Sequence, residues 1–246
     1  MSLPRAAAAA GGAAVPWLGR RAGAASLFFD VGTNDGGSLV SFLLKRGLMR
    51  EDGAVPLVHT ESGLRDRPKW HVVAVEANPR WAPILRAKCA SYVAAGITAS
   101  CEVVSAALTT FDGNATLHFD TPGGSLGASI LAESNSVRSK GLSAQVPAMD
   151  VLTLFKQLPP RRQDNCVVKV DIEGAEYDVL QRAIANGLVA LWDELYVEWH
   201  AESGFVLGGT RAGEKAACTQ KSLVEAFRTV AVTHPPGWYL EAKPWE

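Results

Sequence analysis

Two spacings of apolar residues alternate along this chain. Short runs of strand length are followed by stretches in which apolar residues return every three or four positions. "LFFDVG", from residue 27, predicts a first strand ending in Asp30-Val31-Gly32, and "GGSLVSFLLKRG" predicts a helix stopped at Gly47. "WHVVAVEANP" predicts a second strand. Asn78 and Pro79 then read as the cap and first residue of the helix "RWAPILRAKCASYVAAG", closed by Gly96. "CEVVSAAL" predicts a third strand. "TTFDGNATLHFD" predicts a hairpin, because Asp112-Gly113 is a turn pair between alternating runs. "VPAMDVLTLFKQLPP" reads as a helix ended by paired prolines. "CVVKVDIEG", "AEYDVLQRAIANG" and "ELYVEWH" follow as strand, helix and strand. Thr219 caps "QKSLVEAFRTV", and "AVTHPPGWYLEA" predicts a terminal antiparallel hairpin. Strand and helix alternate through most of the chain, which predicts a mostly parallel sheet with helices on both faces.

Two stretches break the alternation. Residues 49–69 are polar and irregular and read as an inserted loop. Residues 121–145, rich in Gly and Ser, read as a mobile loop that can close over a site. The first 26 residues carry no acidic group, and Arg5, Arg20 and Arg21 stand in an alanine-glycine background. They form either a targeting segment or a low-complexity tail, and residues 27–246 form the folded domain. The alanine run is broken by Gly11, Gly12 and Pro16, and no later segment is long and apolar enough to span a bilayer.

Composition narrows the class without choosing a function. Hydrophobic residues make up 48% and charged residues 20%, as in an ordinary soluble chain of the cytoplasm or an organelle. The formal net charge of -1 leaves no broad basic footprint for nucleic acid. Cys89, Cys101, Cys166 and Cys218 match no zinc spacing and read as free thiols in a reducing compartment.

Candidate chemistry gathers at the carboxyl ends of the predicted strands, where ligands bind in such sheets. Asp30, Gly32, Asn34 and Gly36 form the turn from strand one into helix one. Small residues there let a ligand approach the backbone, and the helix start offers N–H groups to an anion. Asn34 stands where the dinucleotide fingerprint has its second glycine, which weighs against NAD. Glu76 ends strand two, where a carboxylate accepts from both ribose hydroxyls, with Asn78 just beyond it. Ser105 and Ala106 end strand three, where an adenine ring would lie. These ends describe a nucleoside site with a small anion at the glycine turn, and S-adenosylmethionine fits it.

"FFDVGTNDGG", "VVAVEANP", "VVKVDIEGAEYDVL" and "LYVEWH", in this order, resemble the FkbM family of S-adenosylmethionine-dependent methyltransferases. The resemblance runs from about Leu27 to His200, with "KVDIEGAE" as its most specific part. It implies a class I methyltransferase, Rossmann-like sheet and usually O-methylation. The acceptor would be a hydroxyl of a small molecule or glycan. Two other readings stay open: a non-catalytic relative that binds without transferring, and a nicotinamide-dependent enzyme.

One strand carries an unusual polar row. Lys169, Asp171 and Glu173 share a face of "KVDIEG", and Tyr196, Glu198 and His200 share a face of "LYVEWH". The family-like strand order makes these strands neighbours, so the rows can meet. Lys169 then neutralises charge by pairing Asp171 or Glu198, since unpaired buried charge is costly. Asp171, Glu173 and His200 are the catalytic candidates. His200 has the ordinary pKa of a base near neutrality, and Asp171 is the second choice as base or orienter. Asp171, Glu173, Glu198 and His200 holding a hard cation is an alternative. The sequence shows no convergence of their oxygens, so no metal ligand is assigned. Trp192, Trp199 and Trp238 are candidate walls of an acceptor pocket.

Overall fold

The computed structural model describes residues 26–44, 70–121, 127–132, 141–156, 165–198, 200, 221–222, 225 and 242–244. In chain order the elements are β1 (Ser26–Val31), α1 (Gly37–Leu44), β2 (His71–Val75), α2 (Ala82–Ala94), β3 (Ser100–Val104) and β4 (Ala107–Thr109). They continue with β5 (Gly113–Phe119), β6 (Leu142–Asp150), α3 (Val151–Phe155), β7 (Asn165–Val170), α4 (Glu176–Ala185), β8 (Glu194–Val197) and β9 (Ala242–Pro244). The main sheet has the order β3-β2-β1-β7-β8-β9, and every pairing in it is parallel. The order reverses between β1 and β7, which opens a crevice above their carboxyl ends.

The strands are apolar because both faces are covered. All of β1 is buried. Phe28, Val72, Val167 and Tyr196 face one core, with Leu39 and Phe42 of α1 and Leu85 and Tyr92 of α2. Phe29, Val31, Val168 and Leu195 face the other, with Leu154 and Phe155 of α3 and Val179 and Leu180 of α4. Each such side chain contributes about 1.5–3 kcal/mol on burial. Helices on both faces of a mostly parallel sheet were the expectation, and the structure bears it out.

Several local expectations give way to tertiary pairing. The run "CEVVSAAL" is two strands, β3 and β4, which separate after Val104 and join different sheets. The apolar run carries no Gly or Pro to mark the break. Asp112-Gly113 does turn the chain between β4 and β5, but these two make no hairpin. Instead β6 lies between them, parallel to β4 and antiparallel to β5. The first half of the expected helix at 146–160 is therefore strand. Pro147 lies within this strand although proline cannot donate to a ladder. It is tolerated because β4 pairs only Ala148–Asp150, which leaves one side of β6 unpaired at Pro147. The helix itself starts after Asp150, whose carboxylate accepts from Leu152 N at 2.9 Å. The loop reading of 121–145 is likewise too long, since Leu142–Gln145 belong to β6.

Asn78 is not the cap of α2. Its Oδ1 accepts from Arg80 N at 3.1 Å and its carbonyl accepts from Trp81 N, so residues 78–81 make a turn and the helix begins at Ala82. Two cysteines also depart from expectation. Cys89 of α2 and Cys101 of β3 are joined as a disulfide, with Cα atoms 5.0 Å apart. Their linear spacing says nothing of the packing of α2 on β3 that brings them together. Cys166 is a free, buried thiol, and burial pushes its pKa up.

Residues 231–241 of the expected terminal hairpin lie outside the described residues; Ala242–Pro244 form β9, which pairs parallel to β8. The N-terminal segment, the inserted loop at 49–69, the Gly47 stop, the Thr219 cap, Cys218, Trp199 and Trp238 lie outside the described residues. Among the described residues no helix is long and apolar enough to cross a membrane.

Asp150 also pairs with Arg182 of α4 through both carboxylate oxygens. This hydrogen-bonded guanidinium holds the Asp150 carboxyl below its ordinary value. A depressed folded pKa contributes stability above the unfolded value of about 3.9, and that contribution is lost as pH falls through the folded value. Asp150→Asn keeps a capping oxygen and removes the charge. It is expected to melt below the wild type at pH 7, with the gap closing below about pH 4. Melting curves across that range check it, and a gap that stayed constant into acid would refute the assignment.

Candidate active site

The carboxyl ends of β1, β2, β7 and β8 surround one cleft. Gly32, Asn34, Glu76, Trp81, Ala106, Asp171, Glu173 and Glu198 line it. The small sheet closes it from one side with Leu108 of β4 and Leu117 of β5, joined by Ala128 and Ile130.

The floor of the cleft begins at Gly32. Its φ is +76°, and a Cβ there would lie 1.7 Å from the Asp171 carbonyl oxygen. Only glycine lets β1 and β7 end this close together, with Asp171 N donating to Val31 O at 3.0 Å. Asn34 follows in the left-handed region, at φ 54°. Its N–H donates to Glu76 Oε2 at 2.7 Å, and Asn78 N donates to Glu76 Oε1 at 2.7 Å. Glu76 thus ties the two loops after β1 and β2 together. It is 8% exposed; burial pushes its pKa up, and the two amide donors pull it back. Each of its oxygens has one protein partner and keeps a second lone pair for a ligand.

Not every predicted cofactor residue reaches the cleft. Asp30 is fully buried beneath it, where it accepts from Ser38 Oγ and faces Lys169. Gly36 turns the chain at φ +88° and packs on Leu85 and Lys88. Ser105 accepts from Arg86 Nη2 at 3.1 Å. Asn78 is buried beside Glu76, and its Nδ2 has no hydrogen-bond partner. Ala106 lines the cleft as expected.

The two polar rows do meet. β7 and β8 are paired, with Lys169 opposite Tyr196. Lys169 is 2% exposed and donates to the Gly32 carbonyl at 2.8 Å and to Asp171 Oδ2 at 3.0 Å. It also lies 3.5 Å from Asp30 Oδ1. Burial alone would lower its pKa; the carboxylates of Asp30 and Asp171 outweigh that and raise it. Lys169 therefore neutralises charge as expected, with Asp30 as a further partner.

His200 closes the polar cluster from above. Its Nδ1 lies 2.8 Å from Glu176 Oε1, which also accepts from Ile172 N at 2.8 Å. Its Nε2 faces Glu173 Oε2 at 3.6 Å, Glu198 Oε1 at 3.7 Å and Asp171 Oδ1 at 3.8 Å. Burial lowers its pKa, but the bond to Glu176 and the surrounding carboxylates raise it to about 9. The expectation of an imidazole poised near neutrality is thus corrected, because sequence spacing does not reveal four acidic neighbours. Glu173 sits at φ 54°, with its carbonyl accepting from the buried Ser129 Oγ at 2.8 Å. Burial first, then the charges of Asp171, Glu176 and Glu198, push its pKa to about 7.

Sequence reasoning missed Trp81 and the wall from the small sheet. Trp81 was placed inside a helix, and its turn position follows from the grip of Glu76 on Asn78. Its indole Nε1 is buried without a hydrogen-bond partner. Trp192 is no pocket wall. It is 1% exposed, and its ring lies 5.2 Å from that of Phe155 in the core.

Residues 30–210 match the family model of the methyltransferase FkbM domain. No curated protein and no solved structure matches the chain significantly. With the matched span covering the cleft and most of both sheets, this chain belongs to the FkbM methyltransferase family.

Proposed function

We propose that this methyltransferase uses S-adenosylmethionine to methylate a hydroxyl of a small molecule or glycan. One observation carries the reading. A buried carboxylate, Glu76, stands at one side of the cleft and an acidic cluster stands at the other. The residues present fit the cofactor. Glu76 keeps acceptor capacity for ribose hydroxyls, and the turn at Gly32 and Asn34 admits a small anion. Ala106 offers an apolar surface to a base. The unpartnered donor Trp81 Nε1, on a residue that lines the cleft, suits a ligand rich in acceptors.

When bound, the cofactor supplies an electrophilic methyl group on a sulfonium. The chain does the remaining work. The cleft floor aligns the acceptor oxygen, and Asp171 and Glu173 stand where its proton must go. With no ion bound, His200 is protonated at neutral pH and orders these carboxylates rather than accepting the proton.

Transfer of labelled methyl from S-adenosylmethionine to a panel of sugars and small hydroxyl compounds tests the reading. Asp171→Asn is expected to lower turnover by about 10²-fold or more while leaving cofactor affinity nearly unchanged. His200→Ala is expected to act in the same direction. Both variants at full turnover would remove the cluster from the chemistry. Absence of cofactor-product binding to the intact chain by calorimetry would remove the cofactor.

A further inference from the structure

Two carboxylates and an imidazole approach one another from three points of the chain. An oxygen of Asp171, after β7, an oxygen of Glu198, after β8, and a ring nitrogen of His200 all lie within 4.8 Å of one another. His200 Nε2 is 3.8 Å from Asp171 Oδ1 and 3.7 Å from Glu198 Oε1. Direct hydrogen bonds draw such atoms to about 2.7–3.2 Å. Donors on a shell of radius about 2.0–2.3 Å around a metal ion stand about 3–4.5 Å apart. The observed spacing falls within the range of ligands around an ion.

The donor atoms are also oriented from outside the set. Lys169 takes Asp171 Oδ2 at 3.0 Å and leaves Oδ1 to face the imidazole. Glu176 takes His200 Nδ1 at 2.8 Å and turns Nε2 toward the carboxylates. Both orienting residues are buried, at 2% and 0% exposure. A carboxylate on the far nitrogen of a histidine fixes the tautomer that ligates, and such outer partners set metal affinity.

We propose that Asp171, Glu198 and His200 hold a divalent first-row metal ion at the rim of the cleft. One imidazole with two carboxylates suits Mn2+ or a neighbouring ion better than Ca2+. Glu173 Oε2 also faces Nε2, at 3.6 Å, outside the three-residue group. Asp171 and Glu198 both line the cleft, so the ion's remaining positions open toward a bound acceptor. An acceptor bearing oxygens at adjacent positions would occupy them. Binding of the ion displaces the proton from Nε2, as ligation requires the neutral imidazole.

The test uses the full chain, stripped with chelator and titrated with Mn2+ alone, with free ion followed by electron paramagnetic resonance. About one Mn2+ per chain is expected to bind. Glu198→Gln, which alters a side chain 41% exposed, is expected to weaken binding by about tenfold or more. Its circular dichroism and melting point should match the wild type. No stoichiometric binding by folded wild-type chain would overturn the proposal, as would equal binding by wild type and Glu198→Gln. Because neither cofactor nor acceptor is present, this failure is separable from failure of the methyltransferase chemistry.

Discussion

Glu76→Ala is expected to abolish measurable binding of S-adenosylhomocysteine, the demethylated product of the proposed cofactor. The change removes the proposed acceptor for two ribose hydroxyls. A hydrogen bond to a charged group contributes about 1.5–3 kcal/mol. Two of them put the loss at about 3–6 kcal/mol, or on the order of 10²- to 10⁴-fold in affinity. The variant also releases Asn34 N and Asn78 N, which Glu76 now holds at 2.7 Å each. The loops after β1 and β2 then lose their common anchor, so the site is less well formed before ligand arrives. Glu76→Gln separates the two effects, since it keeps the shape and one acceptor oxygen. It should bind more tightly than the alanine variant and less tightly than the wild type. Calorimetry on all three chains decides the matter, and an alanine variant within threefold of wild type would sink the assignment.

Lys169→Met is expected to be the most destabilising single change near the site. Methionine fills a similar volume, so cavity formation is a small part of the effect. The main loss is electrostatic. Asp30 is fully buried, and its carboxylate would lose the ammonium 3.5 Å away. Asp171 would lose its partner at 3.0 Å, and the Gly32 carbonyl would lose a donor at 2.8 Å. Breaking a buried pair from one side costs about 3–5 kcal/mol. In a chain of this size that corresponds to a fall of about 6–20 °C in melting temperature. Asp30→Asn combined with Lys169→Met should recover part of the loss, because the orphaned charge is removed. A single variant melting with the wild type would show that Asp30 and Lys169 do not sustain each other.

These two residues also show how far the sequence could be read. Glu76 was visible as a polar residue closing an apolar run, at the end where parallel sheets bind ligands. Lys169 was visible as a charge inside a strand that had no other reason to be polar. Gly32 could be marked as a turn, but its closeness to the Asp171 carbonyl is a fact of two strands far apart in the chain. Trp81 carried no signal, because a helix pattern runs smoothly through it.

By itself the sequence determined the alternation of strand and helix, the two apolar faces of the sheet, the polar row on β7 and the acidic end of β2. These are local properties, written in spacings of two and of three to four residues. Only the tertiary structure decided which strands pair. It set β6 between β4 and β5, joined Cys89 to Cys101, and parted β3 from β4. It alone gathered Glu173, Glu176, Glu198 and Asp171 around His200, raising an ordinary imidazole to about 9. Pairing and pKa depend on neighbours remote in sequence, and short-range periodicity carries no record of them.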